Sequence, residues 1–511
     1  MKSPRPLGGE GWVRGTTDRG FMAHLIDDPI CAEVCAWLAA DADRLIETHC
    51  AWVVLKGDLA WKLKRPVDLG YLDFSSRDKR RWALERELAF NRATAPTIYL
   101  ALRTITRKAD GGLEMDGPGE VLEWALEMRR FDDGSVLSLK PDQVQGDLAE
   151  RLGRVVAGLH KAAEVKPQGG GTTALGYTIT SNAEHLRDLA PILGAEAVEV
   201  LVAATDRAFA EQSPLLNARQ ALGLGRRCHG DLHLGNIFIE NDEPVAFDCI
   251  EFNDQLSDID IQYDIAFLLM DLMFRGNQAG AVRVLSGYLD EATRTFGPAV
   301  FEGLAAMPLM LSVRAAVRAH VSAQMGQADL ARAYVQAGIE HLAPRAAKLV
   351  AVGGLSGSGK SYASRRIAPD LQAVILRSDE VRKRLWGIGP LQTLPKEAYG
   401  PGQSERVYGT MLAEASLILR AGQSVVLDAV FLRLEERQAA EALAAELGIG
   451  FQGYWMEAPE AELRGRIQAR VGDASDADEA VLTSQLSRDP GPLSWTRARS
   501  DQTFMPTVSG G

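Results

Sequence analysis

The sequence predicts two domains of different class: an N-terminal α+β domain and a C-terminal α/β domain built on a doubly wound parallel sheet. Three observations carry this reading. Ile46 to Arg65 reads as a β-hairpin, followed by a helix over roughly Ser76 to Ala93, so strands pair before any helix intervenes. Lys348 to Ser361, KLVAVGGLSGSGKS, is instead an apolar strand running straight into a glycine loop and a helical pattern. Between the two, Ala343-Pro344-Arg345 breaks a helix-rich stretch from about Gln278 to His341. The expected organisation is a disordered leader at 1–23, a first domain at 24–345, a second at 346–490 and a loose tail at 491–511. A cut near Pro344 should then release two pieces that fold separately.

Composition narrows the class. A chain of 511 residues allows two to four units at about 100–200 residues each. Hydrophobic content of 46% with 24% charged residues is that of a globular protein, and no run approaches the roughly 20 apolar residues that span a bilayer. The start, MKSPRPLGGEGWVRGTTDRG, lacks the apolar core of a signal peptide, so a cytoplasmic location without membrane contact is expected. Five cysteines cannot all pair, which favours reduced thiols. A net charge of −12 and a pI near 5.3 repel polyanions, so strong nonspecific nucleic-acid binding is not expected.

In the hairpin, Lys56-Gly57-Asp58 supplies the turn, and the period of two puts Lys62 and Lys64 on one face, opposite Trp61 and Leu63. Either lysine can reach nucleotide phosphates, and either Glu85 or Glu87 of the following helix can hold it as an ion pair. No G-x-G-x-x-G loop precedes the lysine strand, which leaves the turn from Thr48 to Trp52 to cover a phosphate. Val121 to Phe131 reads as a strand, and Leu148 to Ala162 as a helix ending near His160, a packed or capping histidine. The stretch Cys228 to Phe252, CHGDLHLGNIFIENDEPVAFDCIEF, then sets Asp231, Asn236 and Asp248 at spacings that a loop and a strand end can aim at one point. Phosphoryl transfer asks for a carboxylate toward the acceptor hydroxyl and oxygen ligands for magnesium. Asp231 suits the first role, Asn236 and Asp248 the second.

This stretch resembles the H-R-D-x-x-x-x-N catalytic loop of protein kinases and, more closely, the H-G-D-x-x-x-x-N form of the aminoglycoside phosphotransferase family. The resemblance implies a bilobal protein-kinase-like fold over roughly residues 24 to 340. It makes Lys62 and Glu87 the nucleotide-side ion pair, puts adenine against the backbone near Glu123 to Ala125, and gives Asp264 a supporting role under the catalytic loop. Asp248 stands where the metal-binding Asp of D-F-G lies, but Cys249-Ile250-Glu251 follows it, which favours a small-molecule kinase.

In the second domain, G-x-x-x-x-G-K-S spans Gly354, Leu355, Ser356, Gly357, Ser358, Gly359, Lys360 and Ser361. Glycines let successive N–H groups wrap a phosphate, Lys360 bridges the β- and γ-phosphates, and the Ser361 hydroxyl is a magnesium ligand. A second short strand ends in Ser378-Asp379-Glu380-Val381-Arg382, and SVVLDAVF ends a third at Asp428. With the arginine-bearing segment Leu463 to Arg470, this is similar to small P-loop kinases of the polynucleotide-kinase, gluconate-kinase and zeta-toxin type. That resemblance makes Asp379 the base, Asp428 a metal ligand, and Arg382, Arg466 and Arg470 phosphate or lid residues.

The expectation is therefore an enzyme with two ATP- and Mg2+-dependent phosphotransferase centres acting on hydroxyls of small molecules. Two alternatives stay open: an ATP-binding regulator, or a polynucleotide 5′-kinase in the second half, where Arg377, Arg382, Lys383 and Arg384 would form a basic patch.

Overall fold

The computed structural model describes residues 24–69, 72–469 and 474–499. The expected leader and Arg470 lie outside the described residues. Two compact units emerge, and neither is continuous in sequence. The first takes residues up to 144, with 162–275 and 309–342; the second takes 145–161, 276–308 and everything from 343 onward. The expected division at 345/346 follows chain order, whereas the second unit also recruits two helical segments from before it. One helical run, Ala299–Gln324, is long and apolar enough to cross a membrane by length and composition, and 78% of its most apolar window is buried inside the protein.

The first unit is built on a six-stranded antiparallel sheet. Its strands are β1 Arg44–Glu47, β2 Ala51–Lys56, β3 Leu59–Lys64, β4 Tyr99–Arg107, β5 Leu113–Met115 and β6 Glu120–Arg129, in the order β1-β2-β3-β6-β4-β5. Alternation sends Val53, Leu55 and Ala60 to one apolar cluster with Leu84 and Phe247, and Val54, Trp61 and Leu63 to another with Ile105 and Leu122. The helix Arg77–Thr94 starts at Ser76, whose hydroxyl accepts from the Lys79 N–H, and buries Arg80, Ala83, Leu84, Glu87 and Asn91 along one stripe. Glu87 is thus delivered to the sheet by helical periodicity. The hairpin Ile237–Glu240 with Glu243–Ala246 lies inside the stretch Cys228 to Phe252, between Asn236 and Asp248.

One expectation fails here. Glu123 to Ala125 lie in mid-strand, in register with Ile105, Thr104 and Arg103 of β4, and the Glu123 carboxylate accepts from Arg80 at 2.5 and 2.8 Å. The segment assigned to adenine is therefore paired with β4 in mid-strand, and the strand runs on to Arg129 before the chain leaves the sheet.

The second unit holds five parallel strands, β7 Lys348–Gly354, β8 Val374–Arg377, β9 Val425–Asp428, β10 Gly450–Glu457 and β11 Thr496–Arg499, in the order β8-β9-β7-β10-β11. The fifth strand corrects the loose tail: Trp495 is buried, and Ala498 packs on the core that contains Val350 and Tyr454. A lone tryptophan in a Pro-, Ser- and Gly-rich stretch gave too little periodicity to show this.

The recruited helices are part of this unit's core. Val282 of the helix Gln278–Phe296 packs with Val350, Val352, Ile367 and Ile375, and Ser286 Oγ accepts from the Ile375 N–H at 3.0 Å on the sheet's edge strand. The helix Gly146–Ala162 lies so close to it that a Cβ on Gly153 would stand 2.1 Å from the Val284 carbonyl oxygen. Part-buried pairs join both helices to the P-loop fold: Glu150 with Arg365 at 3.1 Å, Arg154 with Glu380 at 3.2 Å and Asp290 with Arg384 at 2.6 Å.

Candidate active sites

In the first unit the lysine strand, the buried helix stripe and the Asp248 loop converge. Lys62 Nζ lies 2.7 Å from both Glu87 Oε1 and Asp248 Oδ1, while Lys64 Nζ lies 2.7 Å from Glu87 Oε2 and 2.6 Å from Glu251 Oε1. The choice between Lys62 and Lys64 dissolves, since Glu87 takes both; Glu85 pairs with Arg81 on the surface. Burial alone would push Glu87 up, but the two ammonium groups outweigh it and hold the carboxyl well below the usual range. Burial likewise opposes charge on Lys62, yet Asp248 and Glu87 raise its pKa well above the ordinary value. Asp248 sits at φ +62°, a left-handed conformation that is rare for a residue with a side chain, with its N–H donating to Tyr99 Oη at 3.0 Å.

The catalytic loop is pinned from below. Asp264 accepts the His229 and Gly230 N–H groups at 3.2 and 2.8 Å, and Arg314 donates to the Gly230 carbonyl at 2.9 Å. Gly230 has φ +82°, and a Cβ there would meet the Leu256 carbonyl oxygen at 2.8 Å, so only glycine fits. His229 Nδ1 accepts from the Asp231 N–H at 3.3 Å, which puts its proton on Nε2, 2.9 Å from the Phe247 carbonyl. His233 Nδ1 accepts from Gly235 N–H at 3.0 Å in the same way, so its Nε2–H faces Asp231 Oδ2 at 3.4 Å. Asn236 Nδ2 donates to the Asp231 carbonyl and to Oδ2, both at 2.9 Å. Burial would raise the Asp231 pKa, but His233, His229 and Arg318 together hold it far below the usual range. The Asp231 side chain keeps 38% of its surface open, enough for an acceptor to reach it.

The donor set fits magnesium. Asn236 has spent its amide nitrogen on Asp231, which leaves its carbonyl oxygen for a ligand, and Asp248 has an oxygen beyond the one on Lys62. Sequence reasoning offered Lys64 only as an alternative to Lys62, and it left out Glu251, Tyr99 and His233 as members of this centre, since nothing in their spacing marks them.

In the second unit the glycine loop joins β7 to the helix Lys360–Leu371. Lys360 Nζ is folded back on the Leu355 carbonyl at 3.0 Å, the Ser356 N–H donates to Gln485 Oε1 at 2.8 Å, and Arg466 reaches the Gly357 carbonyl at 3.2 Å. Arg377 lies 3.4 Å from Ser361 Oγ and 3.4 Å from Asp428 Oδ2, so a single guanidinium spans both proposed metal ligands. Asp428 Oδ2 is buried and accepts no hydrogen bond among the described residues, and with the Ser361 hydroxyl it is a hard oxygen donor suited to magnesium. A groove of about 540 Å3 beside Leu355 and Ser358, lined further by Trp455, Pro459, Arg497 and Arg499, is large enough for a nucleoside. Asp379 stands on the first turn of the helix Ser378–Leu385; burial pushes the Tyr399 phenol up, and the Asp379 and Asp476 charges add to it.

The arginines of that helix are not a surface patch. Arg382 donates to the Ala398 carbonyl at 2.8 Å and lies over Tyr399, Lys383 pairs with Asp476 at 3.0 Å, and Arg384 bridges Asp290 and Glu414. Arg382 therefore anchors the segment after the helix, where a phosphate contact had been expected. These engagements remove the basic face that a polynucleotide would need, and Asp476 of the acidic turn DASDAD ties Lys383 and the Leu394 N–H together.

A model of the Phosphotransferase enzyme family matches residues 64–304, and an AAA domain model matches residues 349–491. The Rv2004c protein of Mycobacterium tuberculosis (strain ATCC 25618 / H37Rv) is 30% identical over 460 residues, covering 86% of this chain and 89% of that protein. The chain belongs to this family. It joins a phosphotransferase-type, kinase-like domain to a P-loop kinase-like domain, and its chemistry is phosphoryl transfer. Among solved structures, a choline kinase from Cryptosporidium parvum Iowa II is similar at 13% identity, covering 62% of this chain and 94% of its own, with a TM-score of 0.40. A gluconokinase from Sinorhizobium meliloti 1021 is similar at 23% identity, covering 30% and 82%, with a TM-score of 0.21.

Proposed function

We propose that the chain is a kinase with two ATP sites, each passing a γ-phosphate to the hydroxyl of a small molecule in the cytoplasm. The observation that carries the reading is the convergence of Lys62 on Glu87 and Asp248, since a sheet lysine shared by a helix glutamate and a loop aspartate serves no apolar packing need. Magnesium, when bound by Asn236 and Asp248 in the first centre and by Ser361 and Asp428 in the second, neutralises phosphate charge. Lys62 holds phosphate oxygens, Glu87 and Asp248 fix its ammonium in place, and Asp231 orients the acceptor hydroxyl and takes its proton. A carboxylate with so low a pKa is a weak base, which suffices where the acceptor's proton leaves late in a loose transition state. In the second centre Gly354 to Ser361 cradle the phosphates, the groove beside Leu355 takes the nucleoside, Asp379 faces the acceptor, and Arg466 closes on the loop.

The test is a phosphate-transfer screen with sugars, amino-sugars, nucleosides and oligonucleotides on the intact protein, with Asp231→Ala and Lys360→Ala variants. Loss of one activity in each variant, with the other retained within a few-fold, supports two independent centres. ATP binding without transfer to any acceptor would make the chain a regulator instead.

A further inference from the structure

The P-loop centre of the second unit contains a residue that its own domain sequence does not supply. A small cavity at Ser361 is lined by Arg365, Arg377, Glu380 and Asp428 of the P-loop fold and by Glu150 and Arg283 of the two recruited helices. The carboxylates around it are already engaged. Glu150 takes Arg365 at 3.1 Å, Glu380 takes Arg154 at 3.2 Å and Arg377 at 3.6 Å, and Asp428 takes Arg377 at 3.4 Å. Arg283 is the guanidinium left over: it is half-buried and has no ion pair among the described residues. Burial and the nearby charges of Arg365 and Arg377 push its pKa down, and they outweigh the opposing pull of Glu150 and Asp147.

We infer that Arg283 is a γ-phosphate-binding residue of the P-loop site, reaching it from a helix that in chain order lies inside the phosphotransferase-like half. The inference rests on the reading of this unit as a nucleotide site. Volume decides between the two phosphoryl sources. The open space is about 10 Å3, room for roughly one water molecule. An acceptor molecule does not fit that space, whereas one oxygen of a phosphoryl group held at Ser361 does. The γ-phosphate then adds negative charge where Glu150 is already shared with Arg365 and Arg154.

The experiment uses the full chain with Lys62→Ala and Asp248→Ala in place, so that nucleotide binding reports the second unit. Calorimetry compares ATP and ADP, each with magnesium, for that background and for added Arg283→Ala. A charge-assisted hydrogen bond lost to the γ-phosphate weakens ATP about tenfold or more, with ADP changed less than about twofold. Arg283→Lys should recover part of the ATP affinity and serves as the readout if the alanine variant does not fold. Arg294→Ala, farther along the same helix, should leave the ATP-to-ADP ratio unchanged. Equal losses for ATP and ADP, or none, overturn the inference, as does a weakening of inorganic phosphate binding to the ADP complex with ATP unaffected. Lys360→Ala distinguishes the two levels: if it leaves nucleotide affinity intact, the nucleotide reading of this unit has failed, and not the assignment of Arg283 alone.

Discussion

At Asp231 the carboxylate is held by Asn236 and His233 and stays open toward an acceptor, so its removal should separate chemistry from nucleotide binding. Asp231→Asn is expected to lower the first centre's turnover by about 10²–10⁴-fold with ATP affinity nearly unchanged, measured by steady-state transfer alongside calorimetry. Full turnover in that variant with every acceptor would remove Asp231 from the mechanism. Glu87 gives a pH test. Its folded pKa is lowered, so its contribution is fully present above the ordinary value of 4.5 and is lost as pH falls below it. Glu87→Gln should destabilise the protein by about 3 kcal/mol at pH 7, because Lys62 and Lys64 lose a shared buried partner. The gap between variant and wild type should narrow in melts run below pH 4.5. The Lys62–Glu87 pairing was legible through the resemblance to the kinase strand lysine and helix glutamate, since periodicity alone puts Lys62 and Lys64 on the same face. The capture of Lys64 and Glu251 by the same cluster was not, since a period of two says which face a lysine takes but not how many carboxylates wait there.

The helix Gln278–Phe296 shows the same limit at the scale of elements. Its spacing announces an apolar face, yet nothing in it says that the face meets a sheet whose first strand begins at Lys348. Val282→Ala should cost about 2 kcal/mol and should lower the melting transition of the second unit's core specifically, seen as earlier hydrogen exchange in Val350 to Val352. Unchanged exchange there would detach the helix from that core. The glycine loop, by contrast, was fully legible, because strand, loop and helix lie within one short run and need no distant partner. The helix Ser378–Leu385 was legible as an element but misread in chemistry. Its arginines looked like a patch, and their carboxylates, Asp290, Glu414 and Asp476, lie between 30 and 94 residues away in sequence.

For the whole molecule, the discontinuous second unit leads us to predict that a cut near Pro344 does not free two stable pieces, against the expectation from sequence. A 343–511 fragment lacks Val282, Ser286, Glu150, Arg154 and Asp290, leaving Arg365 and Arg384 without those partners and the edge strand uncovered at Ile375. It should aggregate or melt well below the intact chain in calorimetry. Nicking the chain at Pro344 after folding should instead leave the two products associated on a sizing column. Independent, soluble fragments with native-like melting would return the molecule to two separable domains. Fold class and both phosphate-binding motifs were readable because each is local; the topology of the second unit is a matter of polar pairings across 89 to 226 residues, which a single sequence does not encode in any one window. Gly153, which lets one recruited helix press against the other, has a further bearing on synthesis. Both helices leave the ribosome before the sheet they cover exists, and at about 5–20 residues per second they wait on the order of ten seconds for the strands to arrive. A chain that stops in between leaves Val282 and the helix around it without the strands they pack on.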